Sequence, residues 1–355
     1  MALKFINLSK HYGNVVAINN LNIEVRSGSF TVIFGPPGSG KSVLFRLLVG
    51  LEFPEQGQIL VNDLDITHQP PLNRQIGYVP QNFALYPHLN VHDNISYPLA
   101  LAGRSKVEIN EKVQKAATML SIDHLLYKTP DQLSGGEKQR TAVARGLLKD
   151  AKIFVLDDPL VGLDYKLREQ LMDELKNLRS ELGATFIYAT TDPLEALIMA
   201  QELILIDKGE FVQGGEVEKV YQNPKHAQTL KLLGFPPANV IEGRLTDGEV
   251  AAGPFMFKLD GEAEDCDLWV GLRPESIQLD ATGELTFPAK VRLVENLGGE
   301  CVVHLETNTN SLTTAFSVAD HEMLEYGSSV NISAKPKDIF VFDRLSGLCL
   351  GKGRN

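Results

Sequence analysis

The stretch Gly35-Pro36-Pro37-Gly38-Ser39-Gly40-Lys41-Ser42 constrains this chain more than any other. It lies between an apolar run, Phe30 to Phe34, and an apolar segment that begins at Val43. A buried strand, a glycine-rich turn and a helix N-terminus, in that order, are the setting of a phosphate-binding loop. The glycines let successive backbone N–H groups converge on phosphate oxygens. The helix N-terminus adds partial positive charge at the same place. Lys41 is spaced to reach β- and γ-phosphates, and the Ser42 hydroxyl to coordinate Mg²⁺.

Two further stretches suit the same ligand. Ile153-Phe154-Val155-Leu156-Asp157-Asp158 is an apolar run ending in two acids, the pattern of a buried parallel strand. Carboxylates just past such a strand sit where ligands bind in open α/β sheets. Asp157 is placed to hold Mg²⁺ through water, with Asp158 next to an attacking water. Leu133-Ser134-Gly135-Gly136 precedes a stretch of helical spacing, Gln139 to Leu148, and forms a second helix start suited to an anion.

The rest of the first 235 residues alternates strands and helices, which predicts a parallel sheet covered on both faces. Strands are expected at Leu3–Leu8, Val15–Ile18, Leu21–Val25, Gln58–Asn62, Ile76–Gln81, Thr185–Thr191 and Leu203–Ile206. Helices are expected at Val43–Leu51, 101–126 and 165–182. Tyr12 alone reads either as a packed aromatic or as a ring that stacks on a base. From Phe235-Pro236-Pro237 onward short alternating runs take over, the pattern of a small β-barrel or sandwich. Trp269, the only tryptophan, is expected in that domain's core beside Leu268 and Val270.

Charge narrows the partners. The chain carries −11 overall; residues 236–355 hold 10 Lys+Arg against 19 Asp+Glu, leaving 24 against 26 for the first 235. Neither part has the basic excess of a nucleic-acid binder. Cys266, Cys301 and Cys349 show no metal-ligand spacing and read as inert thiols in a reducing compartment. No apolar run approaches the roughly 18 residues needed to span a bilayer, and the N-terminus lacks a signal-peptide core. A soluble protein is expected, whose membrane role would come through partners.

Together the motifs resemble the ATP-binding cassette family, in particular the ATPase subunits of bacterial carbohydrate and polyol importers. The phosphate loop alone is generic; Leu133-Ser134-Gly135-Gly136 at this distance from it makes the resemblance specific. It covers nearly the whole chain. It implies an α/β cassette over residues 1–235, with a helical subdomain at about 88–150. An all-β, oligonucleotide-binding-fold (TOBE) regulatory or dimerisation domain follows over 236–355, including Val270–Ser276 and Val294–Glu300.

The resemblance also implies roles. Tyr12 would stack on the adenine of ATP, with Val16 beside it. The loop from Gly35 through Pro36, Pro37, Gly38, Ser39 and Gly40 to Lys41, Ser42 and Val43 would hold the phosphates. Ser42, Gln81 and Asp157 would bind Mg²⁺, and Gln81 would also act in catalysis by sensing the attacking water. Ser134, Gly135 and Gly136 would contact the γ-phosphate held by an opposite subunit, and Asp164 would lie at that interface. Phe83 to His88 would receive a membrane subunit. The implied partners are a second ATPase subunit, two transmembrane permease subunits and, indirectly, an external solute-binding protein, at the cytoplasmic face of a bacterial inner membrane. Nucleic acid is not among them. The implied solute is a carbohydrate or a polyol such as glycerol.

Three positions depart from the family pattern, all in one half-site: Val43 stands for threonine, Asp158 for the catalytic glutamate, and Thr191 for the switch histidine. An aspartate carboxylate retreats by about 1.5 Å relative to glutamate, and a misplacement of about 1 Å can cost roughly 100-fold. A lost donor to the reacting phosphate costs on the order of 100- to 1,000-fold. These losses need not add. The departures predict ATP binding with weak hydrolysis at this chain's own loop, and pairing with a non-identical subunit whose site this chain's intact signature completes. Two other readings stay open: a competent homodimer in which Asp158 acts as base with backbone compensation, and a non-transport cassette ATPase.

Overall fold

The computed structural model describes residues 3–279, 283–317 and 324–354, apart from the side chain of Leu182. The chain divides into two compact units, Met1–Val217 and Glu218–Asn355.

The first unit contains two sheets. Strands β1 (Leu3–Tyr12), β2 (Val15–Val25), β4 (Gln56–Val61) and β5 (Leu64–Asp65) form an antiparallel sheet in the order β2-β1-β4-β5. The sequence shows breaks inside β1 and β2; the structure bridges them as single strands with irregular register between Phe5 and His11. The second sheet has the order β10-β9-β3-β8-β7-β6, from β3 (Phe30–Phe34), β6 (Ile76–Val79), β7 (Ile153–Asp157), β8 (Thr185–Thr190), β9 (Glu202–Asp207) and β10 (Glu210–Glu216). All neighbours are parallel except the edge pair β9–β10. Every residue of β3, β7 and β8 is buried, which is why these strands read as continuous apolar runs. Their C-terminal ends lie side by side and carry the phosphate loop, the two aspartates and Thr191.

Helix α1 (Lys41–Val49) follows the phosphate loop and buries Leu44, Phe45, Leu47 and Leu48 in the core with Ile33, Val155 and Ile187. Gly50 ends it at φ 82°. Arg74, buried, then donates to the carbonyls of Leu47 and Leu48, each at 2.7 Å, satisfying groups that the helix end leaves open.

Between β6 and β7 come α2 (Val91–Leu101), α3 (Lys106–Met119) and α4 (Gly135–Leu147). The single helix expected over 101–126 is corrected here. Gly103 at φ 68° ends α2, and Ser105 caps a new helix by accepting from the Glu108 N–H at 3.3 Å. Apolar spacing does not register such a break, because both helices bury the same kind of stripe. Helices α5 (Tyr165–Leu182) and α6 (Pro193–Met199) complete the unit.

The second unit opens with α7 (Val217–Gln222, its first residue shared with the boundary) and α8 (Ala227–Leu232). It then forms a closed six-stranded barrel in the order β11-β12-β13-β20-β19-β14. These strands are β11 (Asn239–Thr246), β12 (Glu249–Ala252), β13 (Phe255–Asp260), β14 (Cys266–Leu272), β19 (Phe340–Asp343) and β20 (Cys349–Arg354). A separate antiparallel sheet, β17-β16-β15-β18, is inserted between β14 and β19. Its strands are β15 (Leu285–Asn296), β16 (Glu300–Glu306), β17 (Ser311–Ser317) and β18 (Ser329–Ala334). Alternation shows that strands exist but not which of them close on one another, so barrel and sheet were indistinguishable in sequence.

Trp269 packs against a second apolar cluster, of Ala227, Leu230, Phe340 and Phe342, and not in the barrel interior with its neighbours. It is half-buried on the outer face of β14, while its neighbours Leu268 and Val270 point inward. Its ring lies 4.3 Å from the Lys231 ammonium and 5.1 Å from the Arg344 guanidinium. Period-2 alternation dictates this: residues flanking an inward pair member face opposite ways.

Candidate nucleotide site

The phosphate loop is shaped by backbone approaches only glycine allows. A Cβ at Gly35 would lie 2.1 Å from the Ile206 carbonyl oxygen. Gly40, at φ 101°, caps α1, and a Cβ there would meet the Ala17 carbonyl oxygen at 2.6 Å. Lys41 is only 5% exposed. Its ammonium donates to the carbonyls of Gly35 at 2.8 Å and Pro36 at 3.0 Å and to Ser39 Oγ at 3.3 Å. Burial lowers its pKa, opposed by the charges of Asp158 and Asp157. A buried ammonium whose bonds all go to neutral oxygens, at the N-terminus of a helix, fits an anionic phosphate.

Beside it, Ser42 Oγ donates to Asp157 Oδ1 at 3.1 Å. Asp157 is 2% exposed, and burial raises its pKa against the pull of Ser42 and Lys41. Tyr78 hydroxyl reaches the other oxygen, Oδ2, at 3.5 Å. Among the described residues no group of three acidic, histidine or cysteine ligands exists. A hydroxyl and one carboxylate suit Mg²⁺, which keeps waters and takes phosphate oxygens as its other ligands. Val43, next in line, packs half-buried against the core.

Asp158 follows at φ 46°, a left-handed conformation that aspartate tolerates better than most residues. Its N–H donates to the Ala189 carbonyl at 3.1 Å, and its carboxylate accepts from the Thr191 backbone N–H. The side chain is 8% exposed. Burial pushes its pKa up to about 6, with Lys41 pulling down and Asp157 and Glu195 pushing further up. Thr191 itself sits exposed at the end of β8, and Gln81 is exposed just past β6.

Sequence reasoning missed the buried network behind Thr191. Glu195 on α6 accepts from Tyr188 at 2.7 Å and from Thr190 Oγ1 at 2.6 Å. Arg168 on α5 lies 3.5 Å from Glu195 and 3.2 Å from Asp192. Asp192 in turn caps α6, accepting from the Leu194 N–H at 2.8 Å. A glutamate three residues into an amphipathic helix looks like an ordinary surface charge; only the pairing of β8 with β7 and β3 shows that it faces the core.

On the antiparallel sheet, Tyr12 is 43% exposed and Val16 47%. The Tyr12 hydroxyl donates to Glu52 and accepts from Arg46 at 3.3 Å, which fixes the ring while leaving it open. Such an anchored, exposed aromatic has a surface available for stacking.

The Ser134 end of α4 is a reciprocal cap. Ser134 Oγ accepts from the Glu137 N–H at 3.3 Å, and Glu137 Oε2 accepts from the Ser134 N–H at 2.7 Å. The Ser134 side chain also bonds the Glu137 carboxylate, and the two Ser134 contacts hold that carboxylate below its ordinary pKa. A Cβ at Gly135 would meet nothing within 4 Å. Ser134, Gly135 and Gly136 thus present an open, donor-rich helix start. Asp164 caps α5, accepting from the Leu167 N–H at 3.0 Å.

Residues 18–161 match the ABC transporter family model, and residues 270–342 match the TOBE domain model. The trehalose/maltose import ATP-binding protein MalK of Thermococcus litoralis is 34% identical over 97% of this chain and 98% of its own length. The chain belongs to the ATP-binding cassette family. Two further relatives are the sn-glycerol-3-phosphate import ATP-binding protein UgpC of Psychromonas ingrahamii and the spermidine/putrescine import ATP-binding protein PotA of Marinobacter nauticus. They are 33% and 35% identical over 96% and 93% of this chain, and over 93% and 92% of their own lengths. A solved bacterial ABC cassette, dimeric and in a post-hydrolysis state with ADP and Pi, superposes with a TM-score of 0.57 at 30% identity. It covers 61% of this chain and 98% of its own. As a cassette, the chain takes ATP with Mg²⁺.

Proposed function

We propose that this cassette is the ATP-binding subunit of a bacterial importer for a carbohydrate or polyol. It sits at the cytoplasmic face of the inner membrane, held there by two permease subunits that receive solute from an external binding protein. The relatives' names support import, and no described helix is long and apolar enough to cross a membrane itself. Residues 1–235 act as the cassette and 236–355 as an OB-type regulatory or dimerisation domain, which binds no nucleic acid.

In this reading Tyr12 and Val16 take adenine, and the loop from Gly35 to Val43 takes the phosphates. Ser42, Gln81 and Asp157 hold Mg²⁺, whose charge offsets that of the phosphates. Asp158 is the base, and Thr191 takes the switch position without a ring to reach the γ-phosphate. Hydrolysis at this site is therefore weak, whereas Ser134, Gly135 and Gly136 complete the site of a second, non-identical subunit.

The observation that carries this is the one-sidedness of the departures. Val43, Asp158 and Thr191 all belong, in the family pattern, to the half-site of this chain's own phosphate loop, while the signature end keeps its cap and its open glycine. ATPase assays of the chain with and without a second cassette subunit test it. Activity only in the mixture, lost on Ser134→Ala in this chain, is the expected result; full activity of the chain alone refutes it. The dimeric cassette it superposes on favours a second reading, a competent homodimer in which Asp158 acts as base. That reading predicts full activity of the chain alone, which no added subunit raises. Non-transport roles are disfavoured, because the relatives described above are all named as import proteins.

A further inference from the structure

The loop after Gln81 has an improbable backbone. Phe83 and Ala84 stand consecutively at φ 60° and φ 48°, and the Ala84 N–H turns back onto the Asn82 carbonyl at 2.6 Å. Neither residue is glycine, and bulky or branched L-residues seldom adopt this left-handed conformation. Such a tight three-residue turn is rare and strained, so something outside the loop must hold it.

The holder is Arg145, from the last turn of α4. Its guanidinium donates through Nη1 to the Ala84 carbonyl at 2.7 Å and through Nη2 to the Phe83 carbonyl at 2.9 Å. Its charged group lies 5.4 Å from the Tyr86 ring, and burial lowers its pKa. The fork thus straddles both left-handed residues. The same helix grips the strand that leads into the loop. A Cβ at Gly146 would lie 2.5 Å from a Val79 methyl, so α4 and β6 are seated as closely as backbones allow. Lys149 donates to the Ile76 carbonyl at the start of β6, at 2.7 Å. From α2, the buried Asn94 fixes the loop's far end, accepting from the Tyr86 N–H at 2.8 Å and donating to the Tyr86 carbonyl at 3.1 Å.

We propose that Arg145 is the positioning residue for Gln81, holding Phe83 and Ala84 left-handed so that α4, the helix headed by Ser134, carries the glutamine loop with it. The helix then joins two ends: Ser134 at one, acting on a facing subunit's nucleotide, and the Gln81 loop at the other, acting on this chain's own. The part concerning Mg²⁺ rests on the nucleotide reading above; the part concerning the loop's shape does not.

The test uses the full chain with Arg145→Ala and Arg145→Lys. One readout is amide exchange over residues 82–86; the other is ATP affinity with and without Mg²⁺. Arg145→Ala should speed exchange in 82–86 by roughly tenfold or more, the scale of losing charge-assisted bonds. It should remove most of the Mg²⁺-dependent gain in ATP affinity and leave Mg²⁺-free affinity unchanged. A lysine cannot bridge two carbonyls as a fork does, so Arg145→Lys should fall between. Adding Ala84→Gly to either variant lowers the cost of the left-handed turn and should restore part of both effects. Exchange in 82–86 that stays at the wild-type rate overturns the clamp. Faster exchange with an unaltered Mg²⁺ effect overturns the positioning of Gln81. A uniform loss of ATP affinity that Ala84→Gly does not relieve marks a purely structural arginine and overturns the proposal as well.

Discussion

Ser42 Oγ lies 3.1 Å from Asp157 Oδ1, joining the first turn of α1 to the end of β7. The two residues are 115 positions apart in sequence, and the parallel sheet brings their strands together. In the proposed reading this bond would hold two oxygen ligands for Mg²⁺ side by side. Replacing Asp157 by Asn keeps the shape and removes the charge. ATP affinity measured calorimetrically in Mg²⁺ should fall by about tenfold, with little change in EDTA. Lys41→Ala removes the buried ammonium and should cost on the order of 100-fold in both conditions, the scale of charged hydrogen bonds lost together.

Asp158 gives a pH signature in the ligand-free chain. In the fold, burial pushes its pKa up to about 6 from the ordinary carboxylate value of 3.8. Between those values the folded state binds more protons than the unfolded one, so this group makes stability fall as pH rises through that window. The cost is fully present above pH 6. Asp158→Asn removes the charge and keeps a residue that accepts φ 46°. It should raise Tm by a few degrees at pH 7.5, from roughly 1–3 kcal/mol, and by clearly less at pH 5. An equal gain at both values would mean that the carboxylate charge is not the cause.

Tyr12 separates stacking from hydrogen bonding. Its hydroxyl is engaged with Glu52 and Arg46, while the exposed ring is the surface offered to a base. Tyr12→Phe should leave ATP affinity within about threefold. Tyr12→Ala should lower it by roughly 5- to 100-fold, the range for one base–aromatic contact. Comparison with a triphosphate lacking the base isolates the effect: its affinity should not change in either variant.

Much of this site was legible because each motif is contiguous. Gly35–Ser42, Leu156–Asp158 and Ser134–Gly136 each place a strand end or a helix start together with its polar groups, so local sequence specified local geometry. The parallel sheet followed from continuous apolar runs, as in Ile153–Leu156 and Phe186–Ala189. What stayed hidden needed contacts between distant segments. Arg145 and Glu195 carry no local sequence signal, and only packing shows the carbonyls and hydroxyls each one meets. The break at Gly103 and the outward turn of Trp269 were obscured for a related reason. Apolar neighbours such as Leu268 and Val270 say that an element is buried on one side, and not which side a given ring takes. In the second unit the strands were visible, but the closure of β13 on β20 joins residues almost a hundred positions apart.

The signature end offers a complementary prediction. Glu137 holds the Ser134 N–H at 2.7 Å. Glu137→Gln retains an acceptor and should leave activity in a paired assay within about twofold. Glu137→Ala removes one half of the cap, costing about 1 kcal/mol at that helix start. It should lower paired activity by severalfold without altering this chain's own ATP affinity. A drop in that affinity would place Glu137 in the wrong half-site.

We propose that this chain grips ATP but cuts it poorly, because Asp158 and Thr191 stand where the family pattern has a longer acid and an imidazole. Steady-state ATPase of the full chain alone, set beside Asp158→Glu/Thr191→His, tests it most directly. The wild type should turn over slowly at saturating ATP, and the double variant should gain roughly 100-fold or more in kcat with little change in ATP affinity. A wild type as fast as the double variant would contradict the account.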